Sequence, residues 1–156
     1  MRWSEIGEQP CPVAKALSVL GDRWTMLVLR EAFWRARRFE DFQARTGAPR
    51  PVLAERLKML VDQGAFERRQ YSERPARYEY RLTEKGVDLY PVVISLLEWG
   101  ERWMTDPAEP PVIELHHRGC GHTTHPQLAC SECGEFLTAR DVEARDRRPD
   151  VPSLSA

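Results

Sequence analysis

The chain has 156 residues, of which 42% are hydrophobic and 30% charged, a composition typical of one folded domain with room for a small appendage. No apolar run approaches the ~20 residues that a membrane span needs, and the N-terminus lacks the apolar region of a secretory signal, so we expect a cytoplasmic protein. The net charge of −1 conceals an asymmetry, because residues 35–82 carry 12 Lys and Arg against 7 Asp and Glu, a local balance of +5 that permits phosphate binding.

The sequence opens with two predicted helices. Apolar residues recur at helical spacing over residues 13–20, and Gly21 ends that helix. Asp22 then serves as the N-cap of a second helix, which extends to about Ala32. A basic stretch, residues 35–38, follows.

A helix-turn-helix is predicted next. A short helix containing Phe39 and Phe42 leads to residues 46–49, whose composition is typical of a turn. A helix with an apolar stripe begins at Pro51 and stops at Gly64. Proline is tolerated in a first helical turn, because its missing N–H would have no partner there.

The pattern then changes to strands. Residues 66–71 and 77–82 are strand candidates rich in aromatic and charged residues. The joining residues, 72–76, form a loop that we expect to be longer than a two-residue turn. Two strands directly after a helix-turn-helix predict a winged helix-turn-helix, a mainly α fold with a small β-hairpin wing.

The helix that begins at Pro51 is expected to enter the DNA major groove, where all four base pairs can be distinguished. Side chains near its N-terminus should reach bases or flanking phosphates, while the hairpin and the basic stretch hold the phosphate backbone. The candidates on the helix are Arg50, Pro51, Glu55, Arg56 and Lys58. Those of the hairpin and the basic stretch are Arg74, Arg77, Arg35, Arg37 and Arg38.

Several motifs occur in the order of a known family. They are CPVAKALSVLGDRWTMLVLREAF, RRFEDFQARTG, PRPVLAERLKMLVDQGAFERR and RPARYEYRLTEKG, and they span about Cys11 to Trp103. This region resembles the HxlR-type winged-helix regulators, bacterial transcription factors related to the MarR group. The resemblance implies a homodimer on a DNA operator, and we expect a repressor. One departure, Pro49-Arg50-Pro51, stands where such proteins usually have a Ser or Thr cap, which alters the expected DNA contacts.

A long helix from Thr83 to about Trp103 is the predicted dimer element, and Pro91 should kink or split it. Its broad apolar stripe exceeds what one small domain covers easily, so we expect it to pair with a second subunit. Packing on the chain's own core is the alternative. A two-fold dimer would read a palindromic site. The stripe consists of Leu89, Val92, Val93, Leu96, Trp99 and Trp103.

The C-terminal third carries two short patterns of the same form. HRGCG, residues 117–121, and CSECG, residues 130–134, each place two potential metal ligands either side of two residues and then a glycine, which resembles a zinc ribbon. A regulatory, redox or partner-binding role and a ribbon without metal stay open. The predicted ligands of one structural zinc ion are His117, Cys120, Cys130 and Cys133, with His116, His122 and His125 as alternatives to His117.

The chain is therefore expected to divide into four parts. Residues 1–105 form the DNA-binding and dimerisation domain, and the proline-rich residues 106–111 form a linker. Residues 112–145 form the zinc-ribbon-like extension. Residues 146–156 form a flexible tail, because their apolar content is too low to fold.

Cys11 stands apart from the C-terminal cluster, at the start of the first helix beside Pro12. Related regulators often carry a cysteine here that senses oxidants or electrophiles, and a helix N-terminus lowers the pKa of a thiol. A small buried hydrophobe at the dimer interface is the alternative. A disulfide would need the partner subunit's Cys11 or a small thiol, since the other cysteines belong to the cluster.

Two other classes of function compete with DNA binding. The arginines could form an ordinary solvated face. The alternative function is a protein-interaction module, in which winged helix and ribbon dock protein partners. Counterion release makes DNA affinity fall steeply with salt, so salt dependence separates the two. We predict no enzyme, because an enzymatic zinc keeps an open position with a base nearby, and the sequence offers neither.

Overall fold

The computed structural model describes residues 3–145, and the predicted flexible tail, residues 146–156, lies outside the described residues. Between Thr105 and Asp106 the chain divides into two compact units. Within the described part, no helix combines the length and apolarity that crossing a membrane requires.

The N-terminal unit begins with a 3-10 helix, Trp3–Glu8, and two α-helices, α1 at Pro12–Leu20 and α2 at Arg23–Phe33. Gly21 ends α1, as predicted. The predicted N-cap of α2 is also confirmed, because the Asp22 carboxylate accepts hydrogen bonds from two backbone N–H groups, at 2.9 and 3.2 Å.

The helix-turn-helix consists of α3, Phe39–Thr46, and α4, Arg50–Asp62. Gly47 ends α3 with φ of 69°, a left-handed conformation that glycine adopts without steric cost, and its N–H bonds the carbonyl of Gln43. Proline lies in the first turn of α4, which has no side-chain cap. The tight turn between the helices sets α4 against α2 and α3.

The wing is an antiparallel hairpin of β1, Phe66–Glu73, and β2, Ala76–Leu82. The expected five-residue loop was wrong, because pairing continues past a register shift between Gln70 and Ser72 up to Glu73 opposite Ala76. A two-residue connection, Arg74-Pro75, remains. Proline fits there because the end of a ladder does not require its missing N–H.

The predicted long helix is split, as one of the two outcomes expected of Pro91. Thr83 caps α5, Glu84–Val87, by accepting a hydrogen bond from the N–H of Gly86 at 3.1 Å. After a break before Pro91, α6 occupies Tyr90–Met104.

The hydrophobic core of this unit lies where α2, α3, α4, β1 and α6 meet. Phe42 contributes edge and tilted ring contacts, with ring centroids 6.4 Å from Tyr80 and 6.2 Å from Phe66. The architecture is thus mainly helical with one hairpin, the predicted winged helix-turn-helix. Its buried side chains include Val28, Leu29, Phe42, Leu53, Leu57, Leu60, Phe66 and Val93.

The second unit, described from Asp106 to Arg145, contains turns and two isolated antiparallel bridges. The bridges join His116 to Thr123 and Ala129 to Phe136.

Candidate nucleic-acid interface

The helix α4 presents a polar face to solvent along its whole length. Leu53, Leu57 and Leu60 are buried on its inner side, which follows helical periodicity. The predicted DNA contacts Arg50, Pro51, Glu55 and Lys58 are all exposed on the outer side. The side chain of Lys58 is 74% exposed and pairs with Asp62 one turn later.

The N-terminus of α4 is held by Arg50. Its Nη1 donates to Oε1 of Gln43 at 2.7 Å, and its guanidinium carbon lies 4.7 Å from the centroid of the Phe39 ring. The side chain of Arg50 therefore lies against α3 while remaining exposed, so a positive charge is positioned at the helix terminus where a phosphate or base edge would approach.

Arg56 has a different environment from the other candidates on α4. Its side chain is only 25% exposed, and its Nε lies 3.5 Å from Oδ1 of Asp22, the N-cap of α2. A second nitrogen lies 3.3 Å from Oε1 of Glu55. The Nε atom itself is buried without a hydrogen-bond partner. The structure thus places Arg56 in the contact between α4 and α2.

Arginine side chains stack on two tyrosine rings of the wing. The guanidinium carbon of Arg68 lies 3.6 Å from the ring centroid of Tyr78, and that of Arg38 lies 4.8 Å from the centroid of Tyr71. Both predicted wing contacts, Arg74 and Arg77, are exposed at or beside the tip.

An open groove of about 580 Å³ separates the start of α3 from the wing. Its lining includes three residues to which the sequence pattern assigns no role, Arg68, Tyr71 and Tyr78. The alternation of side chains along the strands could have indicated this role. Arg68 pairs with Tyr80, and Tyr78 is the diagonal neighbour on the same face of the hairpin. The lining residues include Arg38, Phe39, Arg68, Tyr71, Arg77 and Tyr78.

The basic stretch before α3 is joined to the wing through its backbone. The carbonyl of Arg37 accepts a hydrogen bond from the N–H of Tyr80 at 2.7 Å. Arg35, which has φ of 69°, and Arg38 are exposed, whereas Arg37 is half-buried. Cations from α4, the wing and this connector therefore occur on elements that contact one another.

A second surface of this unit is apolar. Four of the predicted dimer residues remain exposed on α6, with Trp99 58% and Trp103 68% accessible to solvent. Val93 is instead buried in the core of its own chain, and Leu89 packs against that core. The apolar surface of α6 comprises Val92, Leu96, Trp99, Trp103 and Met104.

Cys11 is half-buried at the N-cap of α1, where its carbonyl accepts the N–H of Lys15 at 3.0 Å. The four cysteines of the chain all lie within residues 3–145, and none forms a disulfide.

The predicted zinc ligands lie in two turns of the second unit. Nδ1 of His117 is 3.3 Å from Sγ of Cys120. In the other turn, hydrogen bonds from the backbone N–H groups of Cys133 and Glu132 lower the pKa of the Cys130 thiol below its ordinary value. In residues 3–145 no three His, Cys, Asp or Glu side chains are grouped so that they could hold a metal ion.

The family model described as the HxlR-like helix-turn-helix matches residues 19–108, more than half of the chain. The chain belongs to the HxlR family. The matched residues contain the helix-turn-helix, the wing and the apolar helix α6. As a member of this family the protein is a transcriptional regulator of the helix-turn-helix type, a DNA-binding protein and not an enzyme.

Curated relatives carry the same description. A protein named as an uncharacterized HTH-type transcriptional regulator of Mycobacterium tuberculosis is 48% identical over 130 residues, which cover 83% of this chain and 82% of the relative. YvaP of Bacillus subtilis, which has the same description, is 35% identical over 63% of this chain and 92% of its own length. Because 130 residues exceed the first unit, similarity to the mycobacterial protein extends into the second.

Solved structures give a consistent picture. PA1607, assigned as a transcription factor, superposes with a TM-score of 0.79 at 35% identity over 89% of this chain and 96% of its own. The redox regulator HypR in its oxidized form superposes with a TM-score of 0.56 at 32% identity, over 59% of this chain and 96% of its own. The reduced form of the transcriptional regulator YodB from B. subtilis superposes with a TM-score of 0.52 at 31% identity, over 65% of this chain and 100% of its own.

Proposed function

We propose that this HxlR-family regulator acts as a homodimeric repressor on a palindromic operator, with α4 in the major groove and the wing on the flanking backbone. As a DNA-binding bacterial regulator it would act in the cytoplasm. The observation that carries the proposal is the placement of exposed cations on α4, the basic connector and the wing, all on elements packed around α3.

The charges on this surface favour DNA over a protein partner. Arg74 and Arg77 extend from the narrow tip of a hairpin, where they can follow a phosphate backbone. Arg50 lies at a helix N-terminus, which favours an anion electrostatically. Arg56, by contrast, is proposed to orient α4 through Asp22 and not to read bases itself.

The exposed apolar surface of α6 supports the homodimer. Large exposed apolar patches mark interaction sites, and a two-fold interface uses the same patch on both subunits. Dimerisation would place two α4 helices at half-sites about one helical turn of DNA apart.

The effector is proposed to act through Cys11. The similarity to HypR, a redox regulator, supports a redox response, and Cys11 occupies a helix N-terminus where a thiolate is stabilised. Oxidation there would relieve repression.

The proposal is tested by binding of the purified protein to the DNA upstream of its own gene, titrated with salt. We expect saturable binding that weakens steeply with salt, since each neutralised phosphate contributes about −0.9 to the slope of log K against log salt. Arg77→Ala should reduce the magnitude of that slope by about 1. Lys58→Ala should lower the preference for operator over unrelated DNA.

The matched control is Arg140→Ala, which removes the same charge from the second unit and should leave slope and preference unchanged. Equal affinity for operator and unrelated DNA would refute the operator. Loss of the salt dependence altogether would favour the protein-interaction module.

A further inference from the structure

The two turns that carry His117 and Cys130 have the same backbone design. The N–H of Gly121 bonds the carbonyl of His117 at 2.7 Å, and the N–H of Gly134 bonds that of Cys130 at 2.9 Å. The two glycines have φ of 75° and 79°, which L-residues rarely adopt. Each turn thus closes between its first and fifth residues.

The hydrogen bonds around the turns repeat as well. In each, the first residue donates its N–H to the carbonyl five positions later, at 2.9 Å in one and 2.8 Å in the other. In each copy a second backbone hydrogen bond, 2.8 Å long, joins the first and last residues of the segment. One antiparallel bridge lies between this bond and the turn. Residues 115–124 and 128–137 are therefore two copies of one hairpin, 13 residues apart.

Potential metal ligands recur at the same two positions of both copies. The first and fourth positions of the turns hold His117 and Cys120 in one copy and Cys130 and Cys133 in the other. The positions between them share nothing, Arg118-Gly119 against Ser131-Glu132, whereas the spacing of the N and S donors is the same in both copies.

The geometry of the first pair fits a tetrahedral zinc ion. With zinc bonds of about 2.0 Å to nitrogen and 2.3 Å to sulfur, the two ligand atoms lie about 3.5 Å apart. The observed distance from Nδ1 of His117 to Sγ of Cys120 is 3.3 Å. A Cβ on Gly119 would lie 2.9 Å from Cε1 of His117, so glycine leaves room for the ring to face the cysteine.

Among the alternative histidines, His116 is directed elsewhere, with Nε2 3.3 Å from a carboxylate oxygen of Glu114. The ring of His117, by contrast, contacts a cysteine sulfur. The structure therefore favours His117 as the fourth ligand.

The second unit also lacks a hydrophobic core of its own. None of the described residues 106–145 is buried, and Leu128 and Phe136 are 67% and 69% exposed. A segment of this size cannot offset its conformational entropy by apolar burial, and small domains of this kind use a disulfide or a metal instead. No disulfide links these cysteines.

We propose that the two hairpins close around one zinc ion held by His117, Cys120, Cys130 and Cys133 of a single chain. Each hairpin supplies two ligands, and the metal supplies the attraction that brings the pairs together, so that binding is coupled to ordering. The connection, residues 121–129, can reach about 30 Å when extended and does not oppose closure. Three thiolates and one imidazole form a closed set, which is characteristic of a structural site.

The test uses the full-length protein. After dialysis against zinc and then buffer, we expect one zinc ion per chain by elemental analysis, and cobalt added to the metal-free protein should produce thiolate-to-metal charge-transfer absorption with tetrahedral d–d bands. Cys120→Ser and Cys133→Ser should each lose the tetrahedral cobalt spectrum, and His117→Ala should weaken cobalt binding at least tenfold.

Matched controls remove the same residue types elsewhere. His122→Ala and Cys11→Ser should keep one zinc ion per chain. The proposal is overturned if wild-type protein gives no charge-transfer band, if Cys133→Ser binds zinc like the wild type, or if mass spectrometry of protein purified without reductant shows a Cys130–Cys133 disulfide in place of metal.

Discussion

At the scale of one residue, Arg56 shows that a surface pattern does not determine the neighbours of a long side chain. In the sequence it occupies the outer half of α4 beside Glu55 and Lys58, which predicts a DNA contact. In the structure the end of its side chain turns towards Asp22, whose carboxylate also caps α2. Which neighbour a long flexible side chain meets depends on how helices pack, and helical periodicity does not contain that information.

Cys11 is the residue at which redox control can be tested. Because thiolates react faster than thiols, we expect treatment with diamide or peroxide to lower operator affinity of the wild type at least about tenfold. Cys11→Ser should retain its affinity under the same treatment, as measured by fluorescence anisotropy with labelled operator.

Reductant provides the control for reversibility, since a disulfide at Cys11 should be reduced and binding restored. An equal loss of operator affinity in Cys11→Ser would indicate that the C-terminal cysteines, and not Cys11, carry the redox response. Full operator binding by the oxidised wild type would contradict a sensor role for Cys11.

At the scale of elements, the short helix α5 joins the wing to α6 by docking on the junction between α4 and β1. The hydroxyl of Thr83 donates to the carbonyl of Gly64 at 2.6 Å, and Nζ of Lys85 donates to the carbonyl of Gln63 at 2.6 Å. Gly86 is buried there, and a Cβ at this position would lie 2.1 Å from the carbonyl oxygen of Ala65.

We therefore expect Gly86→Ala to destabilise the protein by about 2 kcal/mol or more, because the backbone oxygen cannot move without disturbing β1. The measurement is chemical denaturation at one fixed protein concentration. Gly100→Ala, inside α6 with nothing within 4 Å of the added Cβ, is the control. It should raise stability by up to about 1 kcal/mol, since alanine favours helix over glycine. Equal effects of the two substitutions would contradict this account of α5.

The wing shows the same dependence on element pairing. Its strands were predicted from composition, but the sequence pattern placed their ends two residues and one residue short of the turn. Ser72 and Glu73 look like loop residues by composition, yet they pair with Arg77 and Ala76 once the partner strand is in position. Hydrogen bonding across the hairpin outweighs their weak strand preference.

At the scale of the whole molecule, the apolar surface of α6 predicts the quaternary state. Trp103→Glu and Leu96→Glu each place a carboxylate in the proposed interface, where burying an unpaired charge is costly. We expect each to weaken dimerisation at least about tenfold, which analytical ultracentrifugation over a concentration series would measure. Operator affinity should fall with it, because half-sites are then bound singly.

Val87→Glu is the matched control, since Val87 is an exposed valine on α5 outside the stripe. It should leave the dimer intact. A monomeric wild type, or dimers unaffected by both substitutions on α6, would refute this interface.

The sequence by itself determined the winged helix-turn-helix, the Asp22 cap, an interruption of the long helix near Pro91 and the HxlR family. These depend on local rules, namely apolar periodicity, capping chemistry and turn residues in a fixed order, which need no partner elsewhere in the chain.

Tertiary structure alone decided that Arg56 bridges α4 to Asp22, that Val93 belongs to the core, and that Arg68 and two tyrosines line a groove beside α3. It also showed that two C-terminal motifs share one hairpin geometry. The first three facts concern which surfaces meet, and that is set by packing between residues far apart in the chain, where a side chain's type is known but its neighbours are not.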